Sequence, residues 1–291
     1  MKRLLLIISV FFIITGPANA WSFDNISCAF ANFFNRSDET KIEKLLEAQT
    51  KYANRTNFDK YISTYDKNYK NSDGFDIEVY SNLVKDIWST YDKVKYGIKI
   101  KNISVSGDEA KAELTETSYA NIPMKETNYN GELKSTAETV YYFKKTDGKW
   151  KVIADRVVDE TTSMLYGKAK DLDIKLTVPT LIEADKEYTA TLEFTPPAET
   201  LAIASIASDI VEYPQKPTQE VFRTMPEDNI LERLFTSNTQ NANEYIVASI
   251  GLTQTAIEDL SIKLSLTGFG YVIRRVNVIP ETNESENVEN E

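Results

Sequence analysis

The spacing of apolar residues changes along the chain from a helical period to a strand period. Between residues 37 and 91, apolar residues recur every three or four positions in three groups. After Gly97 the period becomes two, and apolar and polar residues alternate as they do in half-buried strands. The pattern predicts three helices followed by several antiparallel strands. The clearest helical group, in which we expect Trp88 to be buried, is Tyr80, Leu83, Val84, Ile87, Trp88 and Tyr91.

The segment DGKWKVIADRV, which begins at Asp147, predicts a hairpin turn and a returning strand. Asp-Gly is a strong signal for a tight turn between two antiparallel strands. Strict alternation places Val152, Ala154 and Val158 on one face of the returning strand, and Ile153 and Val157 on the other. A strand that is apolar on both faces is typical of a central strand covered on both sides.

The three helical groups, the hairpin segment SGDEAKAEL at residues 106–114 and the DGKWKV turn together resemble the nuclear-transport-factor-like cone-fold superfamily, in particular its SnoaL-like branch. The resemblance covers about residues 37–165. It implies an α+β domain in which three helices pack on a curved antiparallel sheet that lines a pocket. It also implies that an enzyme of this kind would use an acid or a histidine inside the cone, assisted by tyrosine.

The second half of the chain has the pattern of an all-β domain. Beyond residue 171 the helical spacing disappears, and short alternating segments such as LDIKLTVP and KEYTATLEF are separated by turn residues. This pattern predicts a β-sandwich over about residues 172–280. The layout resembles an immunoglobulin-like accessory domain of exported bacterial proteins. The Cys…Trp…Cys signature is absent, because this half contains neither residue.

These patterns divide the chain into consecutive segments. We expect residues 30–168 and 169–280 to fold independently, because each half carries its own apolar residues. The last segment is acidic, lacks apolar anchors and is expected to be disordered. The predicted segments are a signal peptide at 1–20, an N-terminal segment at 21–36, the cone-fold domain at 37–165, a linker at 166–171, the sandwich at 172–280 and the tail at 281–291.

The first twenty residues have the pattern of a secretory signal peptide. Two basic residues precede an apolar run of about eleven residues, and the sequence Ala18-Asn19-Ala20 suits signal peptidase. We therefore expect an exported protein, periplasmic or extracellular, without stable membrane insertion after cleavage. Cys28 could carry a lipid, but Asn25 stands where a lipidation site has an aliphatic residue. The simpler interpretation is a free thiol.

Composition excludes several classes of chemistry. The chain has no histidine, which rules out Ser-His-Asp and Cys-His catalysis and histidine-ligated metal sites. Its one cysteine cannot form an intramolecular disulfide. The formal charge of −11 disfavours nucleic-acid binding, which requires a basic surface. No cofactor or metal site is predicted.

Asp155, with Tyr119 and Tyr141 on neighbouring strands, is the candidate ligand-binding site inside the cone. An aspartate among apolar walls can have a raised pKa and act as a base. If the protein were an enzyme, Asp155 would be buried; if it were a scaffold, Asp155 would be exposed or ion-paired. We expect the exposed arrangement, because no second acid or phosphate-binding loop is evident beside it.

The sequence leaves three functional hypotheses open. The first is a non-catalytic binding or scaffold protein of the cell envelope, with an envelope protein or a small apolar ligand as its partner. The alternative is a carboxylate- and tyrosine-dependent isomerase or dehydratase of the SnoaL-like type. The third is carbohydrate binding by the sandwich. Homodimerisation through the open sheet face is one further option, although charged residues such as Lys111 and Glu113 suit a solvated face.

Export generates the first testable prediction. N-terminal sequencing of the mature protein, recovered from the periplasm or the medium, should begin WSFDN, because Ala18 and Ala20 satisfy the small-residue requirement of the cleavage site. A mature chain that begins with a lipid-modified Cys28 would contradict this expectation and would make the protein membrane-anchored.

Overall fold

The computed structural model describes residues 28–91, 93–124, 129–258 and 261–281, and it describes side chains from residue 37 onwards except those of 256–262. The predicted signal peptide with its cleavage site, and residues 282–291 of the predicted tail, lie outside the described residues. The chain divides into two compact units. Unit 1 contains Met1–Thr162 and Glu212–Pro217, and unit 2 contains Ser163–Val211 and Thr218–Glu291.

Unit 1 begins with the three predicted helices, α1 (Cys28–Ala53), α2 (Phe58–Ile62) and α3 (Ile77–Thr90). Helix α3 starts where Asp76 accepts hydrogen bonds from the backbone N–H groups of Glu78 and Val79. Its apolar stripe buries Tyr80, Leu83, Val84 and Ile87, as the spacing predicts.

Trp88 is only half-buried, so its predicted burial is wrong. It lies at the margin of the apolar stripe, where its ring contacts the rings of Phe58 and Tyr61. The indole N–H donates to the hydroxyl of Tyr96 at 3.1 Å. A tryptophan needs a partner for this N–H, and the position at the margin provides one.

The helices are followed by the four strands β1 (Lys95–Ser106), β2 (Glu109–Pro123), β3 (Asn130–Thr146) and β4 (Lys149–Gly167), which form a sheet in that order. β1 and β3 both pair antiparallel with β2. The predicted turn between β3 and β4 is present, and its two residues, Asp147 and Gly148, have φ angles of 51° and 72°. Two consecutive positive φ angles are what a type I′ hairpin turn requires.

The burial pattern of β4 departs from the strict alternation that the sequence suggested. Val152, Asp155, Val157 and Glu160 are all buried, whereas Val158 is 39% exposed. The steps between buried residues are therefore three, two and three positions, and a local bulge in a strand produces such one-residue shifts. The prediction that Val152 and Val158 lie on the same face is therefore wrong. The shift between Val152 and Asp155 places Asp155 on the buried side.

Unit 2 consists of two sheets that share one apolar core. Its larger sheet has the strand order β12-β11-β8-β9, with β6 parallel to β12, and its smaller sheet has the order β10-β7-β5. The core combines residues of both sheets, such as Leu192 of β7, Ala204 of β8 and Ile250 of β11. The strands are β5 (Lys175–Thr177), β6 (Leu181–Glu183), β7 (Glu187–Glu193), β8 (Thr200–Ile210), β9 (Arg223–Thr224), β10 (Ile230–Thr236), β11 (Glu244–Glu258) and β12 (Ser261–Ile279).

Residues 166–171, predicted as a linker, form the end of β4 and a short 3₁₀ helix (Lys168–Asp171) instead. Tyr166 stacks on Phe269 with ring centroids 4.7 Å apart, and Ala169 is fully buried in the core of unit 2. The close approach requires glycine, since a Cβ on Gly270 would lie 2.5 Å from the carbonyl oxygen of Met164. The boundary between the units falls inside β4, after Thr162.

No helix in the described part of the chain is long and apolar enough to cross a membrane.

This boundary predicts how fragments of unit 2 behave. A fragment of residues 163–281 should be more stable than one of residues 169–281, because the shorter fragment lacks the buried side chains of Met164 and Tyr166. Loss of a buried side chain of this size typically costs about 2–5 kcal/mol. Urea unfolding followed by circular dichroism measures the difference. Equal unfolding midpoints would show that the end of β4 does not belong to unit 2.

Candidate functional site

The interior of unit 1 contains a group of polar side chains that we call the interior cluster. It consists of Glu116 on β2, Thr139 and Tyr141 on β3, Asp155 on β4, and Tyr69 in the segment between α2 and α3. Each of these residues is at most 4% exposed. Carboxylates are rarely buried to this degree unless hydrogen bonds compensate for the loss of water.

Asp155 accepts a hydrogen bond from Tyr69, whose hydroxyl lies 2.6 Å from Oδ2. The backbone holds Tyr69 in place, because the N–H of Asp66 donates to the carbonyl of Val152 and the N–H of Lys70 to that of Ile153. Burial, followed by the charge and the hydrogen bond of Asp155, raises the pKa of Tyr69 well above its usual value. Tyr69 therefore remains protonated and acts as the donor.

Glu116 accepts two hydrogen bonds from β3. The hydroxyl of Thr139 lies 2.7 Å from Oε2, and that of Tyr141 lies 3.2 Å from Oε1. Burial raises the pKa of Glu116 well above its usual value; the two hydroxyls oppose this effect, while the carboxyl charges of Asp155 and Glu160 add to it. Glu116 therefore retains its proton at pH values where an exposed glutamate is ionised.

Three further buried tyrosines lie beside the interior cluster. The hydroxyls of Tyr61, Tyr65 and Tyr80 form a triangle with sides of 2.7, 3.0 and 3.1 Å. The ring of Tyr69 packs against this group, with centroids 5.0 Å from Tyr65 and 5.3 Å from Tyr80. Burial raises the pKa of all three phenols, so they are neutral at physiological pH.

The structure brings together only two of the three predicted site residues. Asp155 is fully buried, which contradicts the expectation that it is exposed. Tyr141 is also buried and donates to Glu116. Tyr119 lies on the opposite, outer face of β2, where its hydroxyl donates to Asn121. The reason is strand geometry: Glu116 and Tyr119 are an odd number of positions apart and so face opposite sides.

Glu116 and Tyr69 belong to the interior cluster although neither was predicted as a site residue. A signal for Glu116 was present, because it continues the buried register of Ala110, Ala112 and Leu114 along β2. An acid in an apolar register indicates a buried carboxylate. No comparable signal existed for Tyr69, since its position next to Asp155 depends on a contact between residues 86 positions apart.

The chemistry available to the interior cluster is proton transfer between carboxyl and phenol groups. A neutral carboxylic acid can donate a proton, and a carboxylate beside a tyrosine can accept one. Metal chemistry has no support here, because no three histidine, cysteine, aspartate or glutamate residues of the described ranges are arranged to hold an ion. The hydroxyls of Tyr69, Thr139 and Tyr141 already donate to the carboxyl groups of the interior cluster.

Comparison with known proteins gives a match for the first half of the chain. Residues 44–164 match the family model described as the C-terminal domain of the anti-sigma-I factor RsgI9. The matched range covers α3 and most of the sheet of unit 1. The comparison with curated proteins gives no significant match.

Solved structures with similar folds cover about 40% of the chain. A conserved protein from Planctomyces limnophilus has a TM-score of 0.36 and 11% identity over 42% of this chain and 94% of its own. An NTF2-like family protein from Streptomyces avermitilis has a TM-score of 0.33 and 17% identity. The match covers 42% of this chain and 96% of that protein. Bd1075 from Bdellovibrio bacteriovorus has a TM-score of 0.34 and 15% identity over 40% of this chain, and the chain spans only 39% of its length. The description of the Streptomyces avermitilis structure places that protein in the NTF2-like family.

Proposed function

We propose that the chain is an exported, non-catalytic binding or scaffold protein of the cell envelope. Its first unit would recognise a partner protein through its surface and would not transform a small molecule in its interior. The observation that carries the proposal is the filling of this interior by tyrosine rings and by carboxyl groups that bond to neighbouring hydroxyls. We also propose that unit 2 is an immunoglobulin-like sandwich, because two sheets share its core.

The interior supports this proposal because it leaves its polar groups inaccessible. The carboxyl groups of Glu116 and Asp155 and the phenols of Tyr69, Tyr80 and Tyr141 are each at most 4% exposed. A substrate or a small apolar ligand would have to displace rings that already contact one another. A pocket lined by Tyr119, Tyr141 and Asp155 is disfavoured for the same reason, and because Tyr119 faces outwards.

The matched family model also supports a regulatory role. Its description names the C-terminal domain of an anti-sigma factor, which is a regulatory protein. By analogy, we propose that unit 1 serves as a protein-binding module. The match covers residues 44–164 only, so the analogy extends to unit 1 and not to unit 2.

The outer face of the unit 1 sheet argues against a homodimer formed through that face. It carries ion pairs between Lys101 and Glu138, Lys111 and Glu113, and Lys134 and Glu132. Burying such pairs against a second copy would remove their water, and the desolvation cost can exceed the attraction between the charges. We therefore propose that this face is solvated.

A second candidate function is an isomerase or dehydratase that uses Asp155 as a base. The observation in its favour is the burial of Asp155 beside the phenol of Tyr69, at 2.6 Å, with a second acid, Glu116, on the same face of the sheet. Enzymes use such environments to shift pKa values. This hypothesis requires the interior to open to solvent and substrate, which makes it distinguishable from the first.

Chemical nitration tests whether the interior opens. In the folded protein at neutral pH, tetranitromethane should modify Tyr142, which is 38% exposed, and should spare its neighbour Tyr141, which is fully buried. Tyr69 and Tyr80 should be spared as well. Peptide mass spectrometry locates the modified rings, and a urea-unfolded sample in which all tyrosines react is the control. Rapid nitration of Tyr69 and Tyr141 in the folded state would favour the enzyme.

The titration of Glu116 provides a second test. Its pKa is raised in the folded state, so the unfolding free energy should fall as pH rises above about 4.5, the pKa in the unfolded chain. Glu116→Gln should abolish this loss, and the variant should be more stable than the wild type at pH 7–8 and similar at pH 4. The gain is about 1.4 kcal/mol for each unit by which the pKa is raised.

Urea unfolding of both proteins between pH 4 and pH 8 measures the effect. The matched control is Glu113→Gln on the same strand, where the exposed carboxylate pairs with Lys111 and a change should have little effect on stability. A Glu116→Gln protein less stable than the wild type at pH 8 would contradict the buried, protonated carboxyl.

A further inference from the structure

β1 is the outermost strand of the unit 1 sheet, and among the described residues its paired strand is β2. The amide of Asn54 bonds to the opposite edge of β1 at one residue: Nδ2 donates to the carbonyl of Tyr96 at 2.8 Å, and the N–H of Tyr96 donates to Oδ1 at 2.9 Å. The backbone groups of Tyr96 therefore point away from β2. Because this direction alternates along an antiparallel strand, those of Ile98 and Ile100 also point outwards.

The two faces of β1 differ in polarity: one carries isoleucines and the other carries lysines. Ile98 lies opposite Glu116 and Ile100 opposite Leu114, which places both half-buried isoleucines on the inner face. Lys95 and Lys99 alternate with them, so these exposed lysines lie on the outer face. The regular edge ends after Ile100, where the register with β2 shifts.

We propose that this edge of β1 binds an extended segment of a partner protein, which adds a strand to the sheet. The outward backbone groups of Ile98 and Ile100 would supply the hydrogen bonds of such strand addition. The partner segment would place apolar residues beside the two isoleucines and aspartate or glutamate beside Lys95 and Lys99. The proposal rests on the protein-binding role of unit 1 and specifies the chemistry of the partner.

The charge of the edge decides between an acidic partner and a second copy of this chain. In a pair of β1 strands from two copies, lysines would face lysines across the new ladder, and like charges in cross-strand positions are destabilising. An acidic segment makes favourable pairs at the same positions. The same lysines would also deter uncontrolled edge-to-edge association, which natural sheets avoid with charged edge residues.

Amide hydrogen exchange of the full-length mature protein tests the proposal. The probe is the capped peptide TVEVEVT, and the control is TVKVKVT, which has the same β-propensity pattern with the opposite charge. On saturation with the glutamate peptide, exchange of the Ile98 and Ile100 amides should slow by about tenfold or more, as it does for newly paired amides. The lysine peptide should leave both amides unchanged, and added salt should weaken binding of the glutamate peptide.

A charge-reversed variant makes the test specific to this edge. Lys95→Glu combined with Lys99→Glu changes only exposed side chains, and it should invert the preference so that the lysine peptide protects Ile98 and Ile100. Absence of protection by the glutamate peptide, equal protection by both peptides, or an unaltered preference in the variant would each overturn the proposal. If both amides exchange slowly without any peptide and the protein has the mass of a dimer, the edge of β1 binds a second copy of this chain, and the proposal of an acidic partner is overturned. None of these outcomes bears on the non-catalytic role, which the nitration and Glu116 experiments test separately.

Discussion

The burial of carboxyl groups inside unit 1 is the constraint on which the rest of that unit depends. Glu116 and Asp155 lie where water cannot solvate them, and an unsatisfied carboxylate in such a place would be too costly for the fold to tolerate. Three hydroxyls from two other segments provide the compensation: those of Thr139 and Tyr141 from β3, and that of Tyr69 from the segment between α2 and α3. The segment after α2 must therefore lie along β4, and two backbone hydrogen bonds from Asp66 and Lys70 hold it there.

The same constraint limits what the interior can do. Phenols and carboxyl groups that bond to one another, with raised pKa values on the phenols and on Glu116, form a buried polar core. Such a network favours this arrangement of the helices on the sheet, because moving Tyr69 away from Asp155 would remove the hydrogen bond to a buried carboxyl group. The enzyme hypothesis requires these groups to face a substrate, and in this structure the hydroxyls of Tyr69, Thr139 and Tyr141 donate to the carboxyl groups.

If the interior is occupied by its own side chains, recognition must use the surface of unit 1. The outer sheet face carries ion pairs that suit water, and the edge of β1 differs from it in having outward backbone groups between isoleucines and lysines. The edge and the interior are physically connected, since Ile98 lies opposite Glu116 in the ladder. A strand added at this edge would extend the sheet that the interior cluster stabilises.

By itself, the sequence determined the features that depend on local periodicity. The helical stripe of α3, the Asp-Gly turn before β4 and the succession of strands follow from residues that are close together in the chain, and the cone-type order of elements follows from them. The absence of histidine and the single cysteine excluded whole classes of chemistry without reference to any structure. Glu116 was also readable in principle, as an acid in the apolar register of β2.

Tertiary structure decided the features that depend on long-range contacts or on one-residue shifts. Alternation along β4 slips between Val152 and Asp155, and only pairing with neighbouring strands can set such a slip, so the burial of Asp155 was beyond local pattern. Tyr69 meets Asp155 across 86 positions of sequence. The residues predicted as a linker belong to unit 2, because Gly268 and Gly270 of β12 allow the backbone of residues 164–169 to approach closely. This contact joins segments that are distant in the sequence, so the periodicity along one strand does not predict it.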